Sequence, residues 1–179
     1  MGRIRPAMEV KTAIRERRSI RAFKADPVAE EVVEELVELA NMAPSAGNLQ
    51  AREFIVIRDD RTRESLAAAA GNQMFILEAP VCLVVCVNYE RIAHYGARGR
   101  ELYVFHDTGA AIQNVLLAAH DMGLGAVWVG AFNEGPVKRM LRLPKHIRPV
   151  AIIPVGHPVE QPKMRSRRNL SDILRKESW

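Results

Sequence analysis

A run of residues near the start of the chain could bind a phosphate. Residues 17–21, Arg-Arg-Ser-Ile-Arg, place three guanidinium groups and a hydroxyl within five positions. Guanidinium groups make forked, charge-assisted hydrogen bonds to phosphate oxygens. In an extended segment Ser19 and Arg21 project to one side and Ile20 to the other. The run therefore predicts either a phosphate site or a solvated basic turn.

Two further segments could bring a ligand close to the backbone. Residues 44–50, Pro-Ser-Ala-Gly-Asn-Leu-Gln, combine small side chains with amide groups that both donate and accept hydrogen bonds. In residues 127–133, Val-Trp-Val-Gly-Ala-Phe-Asn, a predicted strand ends at Gly130 and Ala131, whose N–H groups could donate to a ligand. Taken singly, each segment is more typical of an ordinary connection between two elements.

The signatures of several enzyme classes are missing from the sequence. It contains neither a Gly-x-x-x-x-Gly-Lys-Ser/Thr phosphate loop nor a Gly-x-Ser-x-Gly nucleophile turn. Gly123-Leu124-Gly125 follows a predicted helix and precedes a predicted strand, the reverse of the order in a dinucleotide fingerprint, so we interpret it as a helix end. The five histidines are scattered without metal-binding spacing, and we expect no metal site.

The elements that must position these segments alternate between helix and strand. Apolar spacing and end signals predict helices over 8–17, from Asp26-Pro27 to Pro44, and over 60–70, 102–122 and 134–142. Strands are predicted over 54–57, 81–87, 125–129 and 150–155, and residues 88–100 are predicted to be irregular. Because the 81–87 strand is apolar on both faces, helices should cover both sides of the sheet. The expected class is α+β or α/β, in one domain of 179 residues.

Charge is distributed unevenly along the chain. The net charge is +5, but residues 1–24 carry +6, residues 138–179 carry +8, and the residues between them carry −9. Two basic ends could bind nucleic acid or could converge on one phosphorylated ligand. The acidic middle and the absence of a helix-turn-helix or OB pattern argue against a continuous nucleic-acid surface.

The cysteines and the first residues of the chain indicate the cellular compartment. Cys82 and Cys86 would lie about 13 Å apart along a strand, farther than a disulfide allows. The first residues show no apolar signal region, and the longest apolar run, residues 79–87, is far shorter than a membrane span. We therefore expect a cytoplasmic protein with no membrane partner.

In order and spacing, these stretches resemble the FMN-dependent nitroreductase family. The matching stretches are Arg-Arg-Ser-x-Arg-x-Phe at 17–23, Ala-Pro-Ser-Ala-Gly-Asn-Leu-Gln at 43–50, the strand flanked by Ala79-Pro80, the helix and turn from Asp107 to Gly125, and Val-Gly-His-Pro at 155–158. The resemblance covers nearly the whole chain. It implies an α+β three-layer sandwich with a central, mostly antiparallel sheet, and an intertwined homodimer with FMN at the subunit interface.

The resemblance also implies which residues contact FMN. The phosphate and ribityl chain would be held by Arg17, Arg18 and Ser19, and one arginine of the tail would return to the phosphate: Arg165, Arg167 or Arg168. The flavin ring would be contacted by Arg21 at its pyrimidine edge, by Gln73 or Asn72 near the same edge, and by the N–H groups of Gly130 and Ala131 near N5. The partner subunit would contribute Pro44, Ser45, Ala46 and Asn48.

The activity implied by the resemblance is electron transfer from NADH or NADPH, through FMN, to nitroaromatics, quinones or similar acceptors in a ping-pong hydride mechanism. Because the flavin supplies the chemistry, no protein acid, base or nucleophile is required. Residues 88–105 are short for a flavin cover, and either line the substrate pocket or form a solvated loop. Three alternatives remain open: a specialised relative on the same fold (a flavin destructase, a dehalogenase or an azoline oxidase), a flavin-binding protein without turnover, and a basic nucleic-acid-binding protein.

Overall fold

The computed structural model describes residues 8–179, so the chain start, on which the expectation of no signal region depends, lies outside the described residues. The helices are α1 (Val10–Glu16), α2 (Glu30–Asn41), α3 (Asp60–Ala69), α4 (Phe75–Glu78), α5 (Gly96–Arg98), α6 (Val104–Asp121) and α7 (Glu134–Met140). The strands are β1 (Arg52–Ile57), β2 (Val81–Asn88), β3 (Gly125–Ala126) and β4 (Ile147–Gly156). Short turns of 3₁₀ helix occupy Ala46–Asn48, Ala93–Tyr95 and Leu170–Asp172. Within the described residues, no helix is long and apolar enough to cross a membrane.

The four strands form one antiparallel sheet in the order β1-β2-β4-β3. The central strand β2 is buried along its whole length, and successive side chains enter two different cores. Leu83 and Val85 pack with α2 and α6 on one face. Cys82, Val84 and Cys86 pack with α3 and α7 on the other. The predicted α+β class, with a sheet between two helical layers, is confirmed.

The second helix begins later than the sequence predicts. Asp26-Pro27 was the predicted start, but α2 begins at Glu30, after Ala29 in an extended conformation (φ −58°, ψ 153°). Val28 explains the difference, because its side chain is buried in the core and its carbonyl accepts a hydrogen bond from Arg58 Nη1 at 2.8 Å. These tertiary contacts keep residues 26–29 outside α2.

The last two strands of the chain also differ from the prediction. β3 is two residues long instead of five, and the chain meets the sheet once more where Val129 pairs with Ile152. β4 starts at Ile147 rather than at residue 150, because the register shifts between Val85 and Cys86 of β2. A bulge of this kind accommodates Pro149 within a ladder that proline otherwise interrupts.

The prediction that residues 88–100 are irregular is wrong over its second half. A 3₁₀ turn, α5 and a π-helical turn (Gly99–Tyr103) lead directly into α6. Gly99 makes this path feasible, since a Cβ there would lie 2.6 Å from Tyr95 Cβ and 2.9 Å from the Ile92 carbonyl oxygen. Ile92 anchors the segment against Val87 at the end of β2, while most of its other side chains are exposed.

Candidate functional site

Most of the residues predicted to hold a phosphate meet in one cavity of about 340 Å³. After α1 the chain runs extended beside β3, where Ser19 pairs with Ala126. The tail after β4 returns to the same place. The cavity is lined by Arg17, Arg18, Ser19, Arg21, Ala22, Glu160, Pro162, Lys163, Arg165 and Arg167.

Close packing holds the extended segment in position. Ile20 is buried against β3, and a Cβ added to Gly125 would lie 2.7 Å from its side chain, so glycine is required at that position. With Ile20 turned inward, Ser19 and Arg21 line the cavity, as expected for an extended segment, but Arg18 and Ala22 line it as well. The packing of Ile20 against β3 therefore fixes the segment beside the cavity.

The cavity concentrates positive charge. Six of its lining side chains are cationic and one, Glu160, is acidic. Among the described residues, the ion pairs involve none of these cations. The pKa of Arg17 is lowered from its ordinary value, first by burial and then by repulsion from Arg167 and Arg18. Uncompensated charge of this kind indicates an anionic ligand.

A second group of predicted residues meets at the end of α3. The Gln73 side chain donates to the carbonyl of Ala70 at 2.8 Å, and the Asn133 N–H donates to that of Ala69 at 2.8 Å. The second bond holds the exposed pair Gly130-Ala131 near Gln73. Both segments are thus anchored to the last turn of α3.

Arg21 links the two groups. Its guanidinium lies 5.9 Å from the centre of the Phe75 ring, at the start of α4, while the same residue lines the cationic cavity. Asn72, the alternative to Gln73, is exposed in a left-handed turn conformation (φ 61°). Arg21 therefore lies between the cationic cavity and the start of α4.

Buried polar groups fix the backbone of the 44–48 loop. The Ala46 N–H donates to both carboxylate oxygens of Asp107, at 3.1 and 3.0 Å. Ser45 Oγ accepts from the Gln50 N–H at 3.0 Å, and Asn48 Oδ1 accepts from the Gln50 side chain at 3.1 Å. The loop is thus ordered by contacts within its own chain while Asn48 stays exposed.

Sequence reasoning missed a buried arginine beside this loop. Arg52 donates to the carbonyl oxygens of Ala43 at 2.8 Å and Pro44 at 3.4 Å. It received no role from the sequence, because an arginine at the start of a strand is ordinarily exposed. Asp107 belongs to a stretch that matches the family motif, but the sequence assigned it no structural role.

The cationic cavity and the 44–48 loop lie at opposite ends of the sheet. At one end of β2, Val81 pairs with Val155, next to β3 and the 17–21 segment. At the other end, the Asn88 N–H donates to the carbonyl of Ala51, directly after the loop. Seven residues of strand separate these ends by about 23 Å. One chain therefore does not bring the two groups together.

The arginines of the tail are also separated. Arg165 and Arg167 line the cavity, whereas Arg168 donates from Nη2 to the carbonyl of Asp172 at 2.6 Å and is not part of the lining. The structure thus separates Arg168 from Arg165 and Arg167, whereas the sequence offers no reason to prefer any of the three.

Residues 88–105 pack beside the 44–48 loop. A Cβ on Gly47 would lie 2.7 Å from the Tyr95 hydroxyl, and Arg91 Nε donates to the Leu49 carbonyl at 3.0 Å. A groove of about 820 Å³ runs along the segment, with Arg100 lying 4.9 Å over the Tyr89 ring. The role of this segment in a substrate pocket stays a prediction.

Sequence comparison identifies the relatives of this chain. The sequence model of the Nitroreductase family matches residues 14–78 and 67–157. The chain belongs to the nitroreductase family. The NADH dehydrogenase of Thermus thermophilus is 32% identical to it over 184 residues, which cover 87% of this chain and 90% of that protein. The FMN reductase (NAD(P)H) of Bacillus subtilis is 30% identical over 173 residues, which cover 89% of this chain and 70% of that protein.

Solved structures of nitroreductase-fold proteins are similar to this family member over most of its length. The NADPH:FMN oxidoreductase of Vibrio harveyi, complexed with NAD⁺, superposes with a TM-score of 0.88 at 29% identity. The match covers 94% of this chain and 77% of that one. The resemblance inferred from the motifs is thereby confirmed.

Proposed function

We propose that this nitroreductase-family protein binds FMN and transfers electrons from NADH or NADPH to small acceptors such as nitroaromatics and quinones. The observation that carries the proposal is the cavity at residues 17–21, where six cationic side chains converge and Arg17 is repelled by its neighbours. The names of the relatives support the same cofactor, since two of them are an FMN reductase and an NADPH:FMN oxidoreductase.

The cavity residues fit the phosphate and ribityl chain of FMN. Forked hydrogen bonds from Arg17 and Arg18 would bind the phosphate oxygens, and Arg165 or Arg167 would add a further charge from the tail. The Ser19 hydroxyl would bond to the ribityl chain. This arrangement would explain why residues 17–21 and the basic tail meet at one cavity.

Residues at the end of α3 fit the flavin ring. Bound FMN would supply the two-electron redox chemistry, which no side chain of the protein provides. Arg21 would place positive charge beside the pyrimidine edge, with Gln73 near it, and Gly130 and Ala131 would donate backbone N–H groups near N5. The nucleotide and the acceptor would occupy the same open face in turn, which gives a ping-pong order.

We further propose that the active unit is a homodimer, in which Pro44, Ser45, Ala46 and Asn48 of one subunit complete the FMN site of the other. The separation of about 23 Å along β2 supports this arrangement, because one chain cannot present both groups to one flavin. Exposed apolar side chains along the tail support it too, since such surfaces usually mark an interface. They are Val159, Met164, Leu170, Ile173, Leu174 and Trp179.

The proposal includes one domain over residues 1–179 and a cytoplasmic location. Two buried, unpaired cysteines support a reducing compartment.

The first test is the visible absorption spectrum of the purified protein. Flavin absorbance, with FMN released on denaturation near one per subunit, is the expected result, together with oxidation of NADH or NADPH when a quinone is added. A colourless protein that also refuses added FMN would overturn the proposal. Binding to nucleic acid as a function of salt would then be measured.

Complementation between subunits tests the shared site. Arg17→Gln impairs the cavity, and Asn48→Asp places a negative charge on the loop. Coexpressed with different affinity tags, the two variants form heterodimers with one intact and one doubly altered site. Random pairing predicts recovery of about a quarter of the wild-type activity. No recovery, from heterodimers that do form, would contradict an interface site.

A further inference from the structure

Arg52 is a buried arginine whose guanidinium binds the backbone around the 44–48 loop. The residue is 4% exposed. Nη2 donates to the carbonyls of Asn41 (2.9 Å) and Ala43 (2.8 Å), and Nη1 donates to those of Pro44 (3.4 Å) and Asp107 (3.3 Å). These carbonyls belong to the end of α2, the start of the loop and the first turn of α6. One side chain therefore joins the three elements that enclose the loop.

Asp107 holds the same loop from the other side. It is 7% exposed, and both of its carboxylate oxygens accept the Ala46 N–H. Burial lowers the pKa of Arg52, and the nearby Asp107 carboxylate raises it. The Asp107 carboxylate thus binds the loop while its carbonyl binds Arg52, and the two buried charges form one framework.

The backbone at and just after this loop includes three residues in the left-handed region. Gly47, Asn48 and Gln50 have φ angles of 55°, 54° and 49°. Residues with a Cβ rarely adopt the left-handed region, and they keep it where the surroundings impose it, often at binding sites. A loop of this kind is expected to relax when its framework is removed.

We propose that Arg52 and Asp107 are positioning residues, which hold the 44–48 loop in the conformation that contacts the flavin of the partner subunit. The inference rests on the proposed function, because it assigns these residues to a loop whose ligand is the proposed FMN. Both side chains are buried behind the loop. They act on the ligand through Ala46 and its neighbours.

The test compares FMN and riboflavin, which lacks the phosphate. In Arg52→Lys and Asp107→Asn, affinity for both ligands should fall by a similar factor, on the order of 10- to 100-fold, because the proposed contacts of the displaced loop are with the part of the molecule that FMN and riboflavin share. Arg17→Gln should instead weaken FMN alone. Affinities are measured by quenching of flavin fluorescence on the dimeric, flavin-depleted protein. An unchanged affinity for both ligands in folded variants would overturn the inference.

Amide exchange gives a readout that needs no ligand. In Asp107→Asn the Ala46 amide should exchange faster than in the wild type, because a single amide oxygen replaces two carboxylate acceptors. Asp107→Glu keeps the carboxylate and should recover part of the flavin affinity. An Ala46 amide with wild-type protection would contradict the proposed framework.

Arg58→Gln is the matched control. Arg58 follows the opposite end of β1 and also donates to a backbone carbonyl, that of Val28 at 2.8 Å. It should lower the melting temperature while leaving the affinities for FMN and for riboflavin unchanged. If Arg58→Gln lost as much flavin affinity as the Arg52 and Asp107 variants, the loss would result from general destabilisation, and the positioning role would be refuted.

Gly47→Ala covers the case in which a buried variant does not fold. Its Cβ would lie 2.7 Å from the Tyr95 hydroxyl at a φ of 55°, so it disturbs the loop without touching the buried pair. It should weaken the binding of FMN and of riboflavin equally, and wild-type affinity for both ligands would overturn the proposed role of the loop. If the wild type binds no flavin, the proposed function fails. If it binds flavin and the variants bind equally well, only this inference fails.

Discussion

Replacing Arg17 with Gln should move two properties in opposite directions. Burial and repulsion from Arg167 and Arg18 lower the pKa of Arg17, so its charge is unfavourable in the ligand-free protein. Removing that charge should raise the melting temperature of the flavin-depleted protein. If Arg17 binds the FMN phosphate as proposed, the same change removes a charged hydrogen bond that contributes about 1.5–3 kcal/mol, and the Kd for FMN should rise about 10- to 150-fold.

Flavin titrations and thermal scans measure the two effects on the same preparation. Riboflavin affinity should be unchanged, because riboflavin has no phosphate to lose. The gain in melting temperature should shrink but not vanish at about 1 M salt, where the Debye length is about 3 Å, because salt screens the repulsion from Arg167 and Arg18 and not the cost of burial. Arg15→Gln is the control, since Arg15 is exposed on α1 and does not line the cavity. A lower melting temperature at low salt, or an equal loss of riboflavin affinity, would refute the electrostatic reasoning.

The tail, an ion pair at α7 and the two cysteines of β2 allow three further tests. Arg167→Gln should weaken FMN binding while Arg168→Gln should not, because only Arg167 lines the cavity; equal affinities in equilibrium titrations would contradict this division. Hydrogen bonds from Arg148 hold the pKa of Glu134 below its ordinary value of 4.5, so the pair stabilises the fold above that pH and loses its effect as the pH falls through the lower folded value. Glu134→Gln should therefore lower the melting temperature at neutral pH, and the difference from the wild type should shrink below about pH 4; a difference that does not depend on pH would count against the ion pair. Burial raises the pKa of both cysteine thiols to about 12, so a thiol reagent should label them only after denaturation, and labelling of the native protein would show that β2 is not buried as described.

Local sequence predicted the elements whose ends are determined locally. α3 begins after Asp59, whose carboxylate accepts the Thr62 N–H at 2.8 Å, and such a cap is recognisable without tertiary information. α6 ends just before Gly123, which adopts a φ of 78° that glycine tolerates well. The continuous apolar character of β2 likewise predicted its burial between two helical layers.

Element ends that depend on distant contacts were not predictable in the same way. Asp26-Pro27 has the chemistry of a helix start, but the contacts of Val28 with Arg58 and the core override it. Pro149 argues against a strand locally, yet a register shift in the pairing of β2 with β4 admits it. In both cases a tertiary interaction outweighs the local preference, and its partner lies tens of residues away.

The candidate site also contains residues that local sequence identifies and residues that only tertiary contacts identify. The chemistry of residues 17–21 is visible in the sequence because forked, charged groups at close spacing are uncommon. The role of the 44–48 loop came only from the family resemblance, since about 23 Å of sheet separate it from the cavity in its own chain. The role of Arg52 has no sequence pattern. Its hydrogen-bond acceptors are backbone carbonyls, which every residue carries, so only the folded structure shows that the carbonyls of Ala43 and Asp107 accept from it. Residues that bind a ligand directly must have suitable chemistry, whereas residues that position a loop need only be buried in the right place.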